Sequence, residues 1–516
     1  MSPVPLPRRR NVAAGGRPPD DGRPRSLSSQ LRGLGRDSVI YGIGGLMSRF
    51  LAVVMLPLYT SYVSPGDYGR IELLMTVMAV AVVVIRGGAN FGFIRFYFLD
   101  KDPAYRRRLI RTVFWAQMGY STLGLVLCVL FASQLAGWLG VAFEPGKHLQ
   151  GSGTNLVLAT AVLLWVNVNY AQMTNLFRAE QRPVAFSFAT VVNIGITVPL
   201  TVILVVVYKH GPLGIIVGNL SGTLIVFLAL LAYRREQLGL QFDRRLLHTL
   251  NRFGFPLMAA ALAMWVTNFG DRLMIRKLLH GAYALHQLGQ YSLAYKISSA
   301  MVLLFTAFQV AWPAFAYSIE DEEEAKRAYS YVLTYLMFIA AWAAVGLSLF
   351  APWIVHLLGR QRGYWPASTA VPALAYASVF YAGFIVVTIA TGRVRQTKFN
   401  WIASTGAAIL NFGLNLWLIP AYGMLGAAYA TLAAYVLLMA VRTWNAQHVY
   451  PVRYQWRRVA ILLLAAGALT GAGEVLPRSI ALAFALTAAY PLLLLPLGFY
   501  LPAERKRLRR LLPAHN

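Results

Sequence analysis

The chain has 516 residues, of which 58% are hydrophobic and 13% are charged, whereas soluble proteins carry about 25% charged residues. With a mean hydropathy of +0.55, this composition excludes a soluble globular protein and makes the lipid bilayer the solvent for most of the chain. The 47 Lys and Arg against 19 Asp and Glu leave a net charge of +28, so the positions of these charges must be examined next.

The amino-terminal segment and the single cysteine narrow the possibilities further. Residues 1–36 are rich in Arg, Pro and Gly and lack a continuous apolar run, which predicts a disordered basic cytoplasmic tail rather than a cleavable signal peptide. Cys128 lies inside an apolar run, so we expect no intramolecular disulfide and no cysteine-based metal site. The chain contains no P-loop motif. We therefore expect no ATP hydrolysis, no metal and no cofactor.

Apolar stretches bounded by charges, Pro or Gly predict about fourteen transmembrane helices, because about 20 apolar residues are needed to cross the hydrocarbon. In chain order, the predicted spans are 38–62, 70–93, 111–132, 154–177, 184–207, 212–233, 254–279, 288–317, 328–350, 365–391, 400–419, 424–441, 459–474 and 479–500.

Most Lys and Arg fall in the tails and the even-numbered loops, including the cluster Arg106–Arg108 and the tail Arg505–Arg510. Cytoplasmic loops carry such an excess, which predicts an orientation with both termini cytoplasmic. The net charge is thereby interpreted as topology information and as contacts with anionic lipid headgroups. No nucleic-acid partner is expected.

An internal repeat is predicted from pairs of similar positions. Tyr68 and Arg49 match Tyr291 and Arg272, both 223 residues further along. Six spans return the chain to its starting side, so two parallel six-helix repeats are expected to form an N-lobe and a C-lobe around a central cavity. The predicted organisation is a tail at 1–36, the N-lobe at 37–240, the C-lobe at 241–448, two appended helices at 449–502 and a basic cytoplasmic tail at 503–516.

Charged residues inside the predicted spans are candidate functional groups, because a charge at mid-membrane costs about 2.5–3.5 kcal/mol and normally faces a partner or a polar cavity. Four cations are predicted to line a substrate cavity, with Asp271 as their acidic counterpart in an ion pair or in ion coupling. Asn268 is predicted to add a neutral hydrogen bond. Arg95 is a weaker candidate, since it can extend to the membrane surface. The four cations are Arg49, Arg86, Arg272 and Lys296.

The excess of cations over Asp271 favours an anionic substrate, and Arg offers a planar fork that suits phosphate oxygens. A buried ion-pair network with Asp271 is the alternative interpretation of Arg49, Arg272 and Lys296.

Several stretches resemble the polysaccharide-transporter branch of the multidrug/oligosaccharidyl-lipid/polysaccharide exporter superfamily, the bacterial oligosaccharide flippases. The resemblance covers roughly residues 35–445. The similar stretches are Ile40–Gly44 with Leu56–Tyr59, Ser64–Gly69, Gly254-Phe255-Pro256 with Asp271-Arg272, and Ile419–Ala428.

This resemblance implies a multi-pass protein of the bacterial inner membrane that is a transporter and not an enzyme. It implies translocation of undecaprenyl-pyrophosphate-linked oligosaccharide units by alternating access, for O-antigen, capsule or exopolysaccharide assembly. The implied partners are this lipid-linked substrate and membrane lipids, with a polysaccharide polymerase or a chain-length regulator as candidate protein partners.

Two alternatives remain at this point: a lipid II flippase for peptidoglycan, and a cation-coupled multidrug exporter that would use Asp271 as its coupling carboxylate. A membrane glycosyltransferase or polymerase is disfavoured, because the predicted outside loops are short and contain no paired carboxylates.

Overall fold

A computed structural model describes residues 47, 51, 53–141, 153–394, 399–502 and 504. Within these residues the secondary structure is helical and contains no strand, which confirms the predicted all-α fold. Arg49, residues 1–36 and the tail beyond residue 504 lie outside the described residues.

Helix starts follow local sequence signals. Pro65, Pro103 and Pro183 occupy first helical positions, where the missing N–H costs nothing, and the side chains of Ser64 and Asp102 cap two of these helices. In chain order, the helices are α1 (Leu56–Tyr62), α2 (Pro65–Leu99), α3 (Pro103–Leu130), α4 (Ala132–Leu139), α5 (Gly153–Ala179), α6 (Pro183–Val202, continued by a π-turn at Ile203–Val207), α7 (Gly211–Tyr233), α8 (Arg244–Leu278), α9 (Gly281–Ser318), α10 (Glu322–Leu349), α11 (Ala351–Leu358), α12 (Val371–Arg393), α13 (Phe399–Tyr422), α14 (Met424–Val449), α15 (Trp456–Val475) and α16 (Ile480–Leu493).

Each of the predicted spans two to fourteen coincides with a helix. Ten helices of the described chain are long and apolar enough to cross a membrane: α2, α3, α5, α6, α7, α10, α12, α13, α14 and α15. Helices α8 and α9, of 35 and 38 residues, cover spans seven and eight. The fourteenth span is occupied by α16, a shorter apolar helix of 14 residues. The protein is therefore a polytopic membrane protein.

We keep the names N-lobe for α1–α7 and C-lobe for α8–α14, a division that stays a prediction; α5 packs on α3 and α7 in the first set, and α14 packs on α12 and α13 in the second. Helix α3 has 28 residues and is followed by the eight-residue α4, and α10 and α11 repeat these two lengths in the C-lobe. Such a match is what a duplicated unit would produce, although the duplication itself stays a prediction.

The lobes meet along α2, which packs against both α8 and α9. At one end of the bundle, a Cβ atom on Gly69 would lie 2.0 Å from the carbonyl oxygen of Leu285, and one on Gly289 would lie 1.9 Å from that of Pro65. We call this end, with the loops near Pro65, Gly281 and Gly363, the Pro65 end. Glycine is required there because the two backbones are in direct contact.

A second close approach lies towards the opposite, Asp100 end, which carries the loops near Asp100, Arg235 and Glu320. There a Cβ atom on Gly254 of α8 would lie 1.8 Å from the carbonyl oxygen of Gly88 on α2. Helix α2 is thus held by the C-lobe at two separate levels.

The appended helices α15 and α16 pack on α10 of the C-lobe. Trp342 of α10 donates a hydrogen bond to the carbonyl of Thr487 (2.8 Å), and the hydroxyls of Tyr376 and Thr470 are hydrogen-bonded at 2.8 Å. This pair therefore extends the C-lobe.

Candidate functional site

An ion pair joins the two lobes close to the Pro65 end. Lys296 of α9 donates hydrogen bonds to Glu72 Oε1 (2.5 Å) and to Tyr68 Oη (2.6 Å), both on α2. Tyr68 and Glu72 are four residues apart, so their side chains lie on one face of the helix. The Glu72 side chain is 10% exposed and that of Lys296 is 31% exposed. The pair therefore crosses the lobe boundary, and Lys296 is its more exposed member.

Arg272 lies beside this pair in an aromatic environment. It is buried on α8, and its guanidinium carbon lies 4.5 Å from the ring centroid of Tyr295 and 5.2 Å from that of Phe269. Arg272 also interacts electrostatically with Glu72. A guanidinium stacked on aromatic faces keeps its charge in a low-dielectric site and presents its N–H edge in a fixed orientation.

Asp271 faces the interior of the C-lobe instead. Its carboxylate accepts hydrogen bonds from Tyr291 Oη (2.7 Å), Asn415 Nδ2 (2.6 Å) and Thr431 Oγ1 (2.7 Å). The described ion pairs do not include Asp271. Three neutral donors thus satisfy a buried carboxylate, and Asn415 Oδ1 stays without a partner in the described structure. The hydroxyl oxygens of Tyr291 and Thr431 and the amide oxygen of Asn415 therefore lie near the negative charge of Asp271.

The remaining predicted site residues are not gathered at this place. Arg86 lies 14 residues beyond Glu72 on α2, about 21 Å along the helix axis, and the described ion pairs do not include it. Arg95 is exposed and stacks on the ring of Phe253 at 4.6 Å. Arg49 and the side chain of Asn268 lie outside what the structure describes. Arg272 and Lys296 are therefore the predicted cations that the fold brings together.

Glu72, rather than Asp271, forms the described ion pair with Lys296, and the predicted role of Asp271 in an ion pair or in ion coupling stays a prediction. Glu72 escapes a hydropathy-based reading because it lies near the start of its span, close to the loop charges of Asp67 and Arg70. The four-residue spacing of Tyr68 and Glu72, which places both side chains on one face of the helix, was the available sequence signal for Glu72. A further buried cation, Arg442 of α14, packs over the ring of Phe384 and was predicted as a loop charge.

These positions change the charge balance inside the bundle. Two buried anions, Glu72 and Asp271, lie in the region where the sequence predicted Asp271 as the acidic counterpart of the four cations. The excess of cations is smaller than four cations against Asp271 alone, and it is spread over the length of the bundle.

The fold has known counterparts among membrane transporters. A solved structure of the lipid II flippase MurJ in an inward closed conformation superposes with a TM-score of 0.70 at 15% sequence identity, covering 88% of this chain and 98% of that one. An inward-facing multidrug resistance transporter of the MATE family superposes with a TM-score of 0.63 at 14% identity, covering 80% of this chain and 94% of that one. The class is therefore a polytopic membrane protein with the fold of these transporters.

Sequence comparison refines this class. The chain belongs to the polysaccharide biosynthesis protein family, which matches residues 62–362. The lipid III flippase of Escherichia coli is 23% identical over 420 residues, which are 78% of this chain and 93% of the flippase. An uncharacterized membrane protein of Methanocaldococcus jannaschii is 25% identical over 209 residues, 39% of this chain and 40% of that protein. The expected family resemblance is confirmed.

Proposed function

We propose that this protein is a flippase that moves undecaprenyl-pyrophosphate-linked oligosaccharide units across the bacterial inner membrane for surface polysaccharide assembly. The similarity to a lipid III flippase along most of both chains supports this proposal. Its family membership supports a role in polysaccharide biosynthesis. The protein acts as a transporter in this proposal, and the lipid-linked glycan is its substrate rather than a reactant.

The observation that carries the proposal is the position of Lys296, Glu72 and Arg272 at the contact between two helical lobes. Charges buried in a membrane protein mark substrate or ion paths, and substrate sites of repeat-built transporters lie at the interface between the repeats. Hydroxyl groups of a glycan cannot cross hydrocarbon without hydrogen-bond partners. Arginine and lysine at the interface supply the donors that a pyrophosphate needs.

In this proposal both termini are cytoplasmic, so the Pro65 end faces the periplasm and the Asp100 end faces the cytoplasm. The interior-negative membrane potential then assists outward movement of an anionic lipid by about 2.3 kcal/mol per charge per 100 mV. A polysaccharide polymerase or a chain-length regulator would receive the product at the periplasmic side.

A second candidate function rests on Asp271. Its buried carboxylate, held by three neutral donors within the C-lobe, is suited to a coupling cation or a proton. This favours ion-coupled transport, which also fits a cation-coupled multidrug exporter. A lipid II flippase is the other alternative, since it would use a similar cationic path.

The deciding experiment is a deletion of the gene followed by analysis of lipid-linked glycans in each membrane leaflet. The proposal expects one glycan on undecaprenyl pyrophosphate to accumulate on the cytoplasmic side while its synthesis continues. Accumulation of lipid II would favour the peptidoglycan alternative. Loss of glycan synthesis, or unchanged surface polysaccharide together with a lost drug resistance, would contradict the proposal.

Orientation can be tested separately, because Cys128 is the only cysteine. In a Cys128→Ser background, a cysteine at Tyr283 should react with a membrane-impermeant maleimide added to intact spheroplasts, and a cysteine at Arg235 should not. Both positions are exposed. The reverse labelling pattern would contradict the proposed orientation.

A further inference from the structure

Helix α2 is broken in its interior at Gly87, whose φ of 57° and ψ of −177° are not helical. Such a break removes regular backbone hydrogen bonds in its vicinity, and in a membrane these groups need other partners. Gln117 Nε2 of α3 donates to the carbonyl of Ile85 (3.4 Å), and the N–H of Ala89 donates to Asn251 Oδ1 of α8 (2.8 Å). Side-chain amides from two other helices, one in each lobe, thus form hydrogen bonds with the backbone on either side of the break.

Four side-chain amides converge at this place, and we call them the carboxamide cluster: Asn90, Gln117, Gln172 and Asn251. Asn90 Nδ2 donates to both Gln117 Oε1 and Gln172 Oε1, each at 2.9 Å. Asn251 Nδ2 donates to the hydroxyl of Tyr120 at 3.4 Å. The cluster combines α2, α3 and α5 of the N-lobe with α8 of the C-lobe, so it lies at the lobe contact like the Lys296–Glu72 pair.

The cluster keeps unused hydrogen-bonding capacity. Gln172 is 1% exposed, and its Nε2 atom has no hydrogen-bond partner within the described residues. Asn90 and Asn251 are half-buried. Burying a polar group without a hydrogen bond is unfavourable. Three uncharged amides within the predicted spans, a fourth just before the seventh span and one donor without a partner therefore point to a polar ligand.

We propose that the carboxamide cluster is a second substrate subsite, which binds hydroxyl groups of the glycan, separate from the cationic residues that suit the pyrophosphate. This inference rests on the proposed function. A carboxamide both donates and accepts hydrogen bonds and carries no charge, which matches a sugar hydroxyl that also does both. A phosphate offers only acceptors and is better served by Arg or Lys.

The same residues explain how the subsite is exposed and covered. Asn251 is the C-lobe member of the cluster, and it lies next to the Gly88–Gly254 contact that holds the lobes together. When the lobes part at the Asp100 end, Asn251 leaves Ala89 and Tyr120, and their N–H and hydroxyl groups become free for the glycan. When the lobes close, Asn251 replaces the glycan as their partner. The glycan and Asn251 therefore compete for the same hydrogen-bonding groups of Ala89 and Tyr120, so glycan binding opposes closure of the lobes near Gly88 and Gly254.

The test compares two probes on the purified full-length protein: undecaprenyl pyrophosphate, and the undecaprenyl-pyrophosphate-linked glycan extracted from cells that lack the gene. Gln172→Leu and Asn90→Ala should each weaken binding of the glycan-bearing lipid about tenfold, the effect of one or two neutral hydrogen bonds, and leave binding of undecaprenyl pyrophosphate unchanged. Gln134→Leu, at an exposed amide of α4, is the matched control and should alter neither. Lys296→Met should weaken both.

Equal losses for both probes in correctly folded cluster variants, or no loss for either, would overturn the subsite while leaving the flippase proposal intact. Failure of the wild-type protein to bind either probe, or absence of a lipid-linked glycan in the deletion cells, would instead overturn the proposed function and the subsite with it. Thermal unfolding of each variant controls for folding, and the half-buried Asn90 carries the test if Gln172→Leu does not fold.

Discussion

Substituting Lys296 should open the bundle at the Pro65 end. Lys296→Met removes the cation that pairs with Glu72 and leaves a largely buried carboxylate on α2. Removing one partner costs about 3–5 kcal/mol for a fully buried pair and at most about 1 kcal/mol for an exposed pair. Because the lysine side chain is 31% exposed, we expect about 2 kcal/mol, which shifts a two-state equilibrium roughly 30-fold. This energy is lost only from the state in which the lobes touch.

Disulfide cross-linking measures this shift. Gln361 Nε2 donates to the carbonyl of Ser61 at 3.2 Å, across the lobe boundary at the Pro65 end. Cysteines at these two positions, in a Cys128→Ser background, should cross-link readily with Lys296 present and much more slowly after Lys296→Met. A cysteine pair at Ser330 and Arg453, in contact beside α10, should cross-link equally in both proteins.

The charge-swapped double variant Glu72→Lys with Lys296→Glu should recover much of the cross-linking, since it restores an ion pair at the same place. Tyr68→Phe removes one of the two acceptors of Lys296 and should have a smaller effect. Unchanged cross-linking in Lys296→Met would refute the reasoning. A double variant that cross-links no faster than the single variants Glu72→Lys and Lys296→Glu would refute it as well.

Three other predictions test separate parts of the molecule. If Asp271 couples transport to a cation, Asp271→Asn should abolish the dependence of lipid flipping in proteoliposomes on a Na⁺ or proton gradient, and a retained dependence would exclude that role. Gly289→Ala should lower the unfolding temperature, because its Cβ would lie 1.9 Å from an α2 backbone oxygen; Gly413→Ala, with nothing within 4 Å, is the control, and equal effects would contradict the contact. Arg234→Met should cost about 3 kcal/mol of unfolding free energy, since Arg234 is buried in a two-pronged pair with Glu180 (2.9 and 3.0 Å); a calorimetric loss below about 1 kcal/mol would show that the pair is weak.

Hydropathy predicted where the helices lie in the chain, but it did not predict which side chains the packed helices bring into contact. A long apolar run leaves the backbone no choice but a helix in lipid, so spans two to fourteen could be placed from sequence. The partner of Lys296 could not, because Glu72 lies 224 positions away in the chain and only the packing of α2 on α9 brings the two together. The break at Gly87 has a sequence signal in the adjacent glycines Gly87 and Gly88, although a single non-helical residue does not alter the apolar average around it.

Asp271 and Arg272 illustrate a different limit. Consecutive residues on a helix point about 100° apart, so neighbours in sequence need not share an environment. Asp271 turns to Asn415 and Thr431 inside the C-lobe, whereas Arg272 turns to Tyr295 and the lobe contact. Because the two side chains face different surroundings, Asp271 can serve the cation of the second candidate function while Arg272 serves the substrate of the proposed flippase.

The appended helices α15 and α16 have a mechanical consequence. They are attached to α10 by the hydrogen bond from Trp342 to Thr487, so a rotation of the C-lobe in the proposed transport would move them through the surrounding lipid as well. The moving body would then be wider than the C-lobe alone, and the viscosity and thickness of the bilayer would affect the rate of the proposed transport cycle. For the proposed flippase we therefore expect turnover to depend on membrane composition, independently of how tightly the substrate is held.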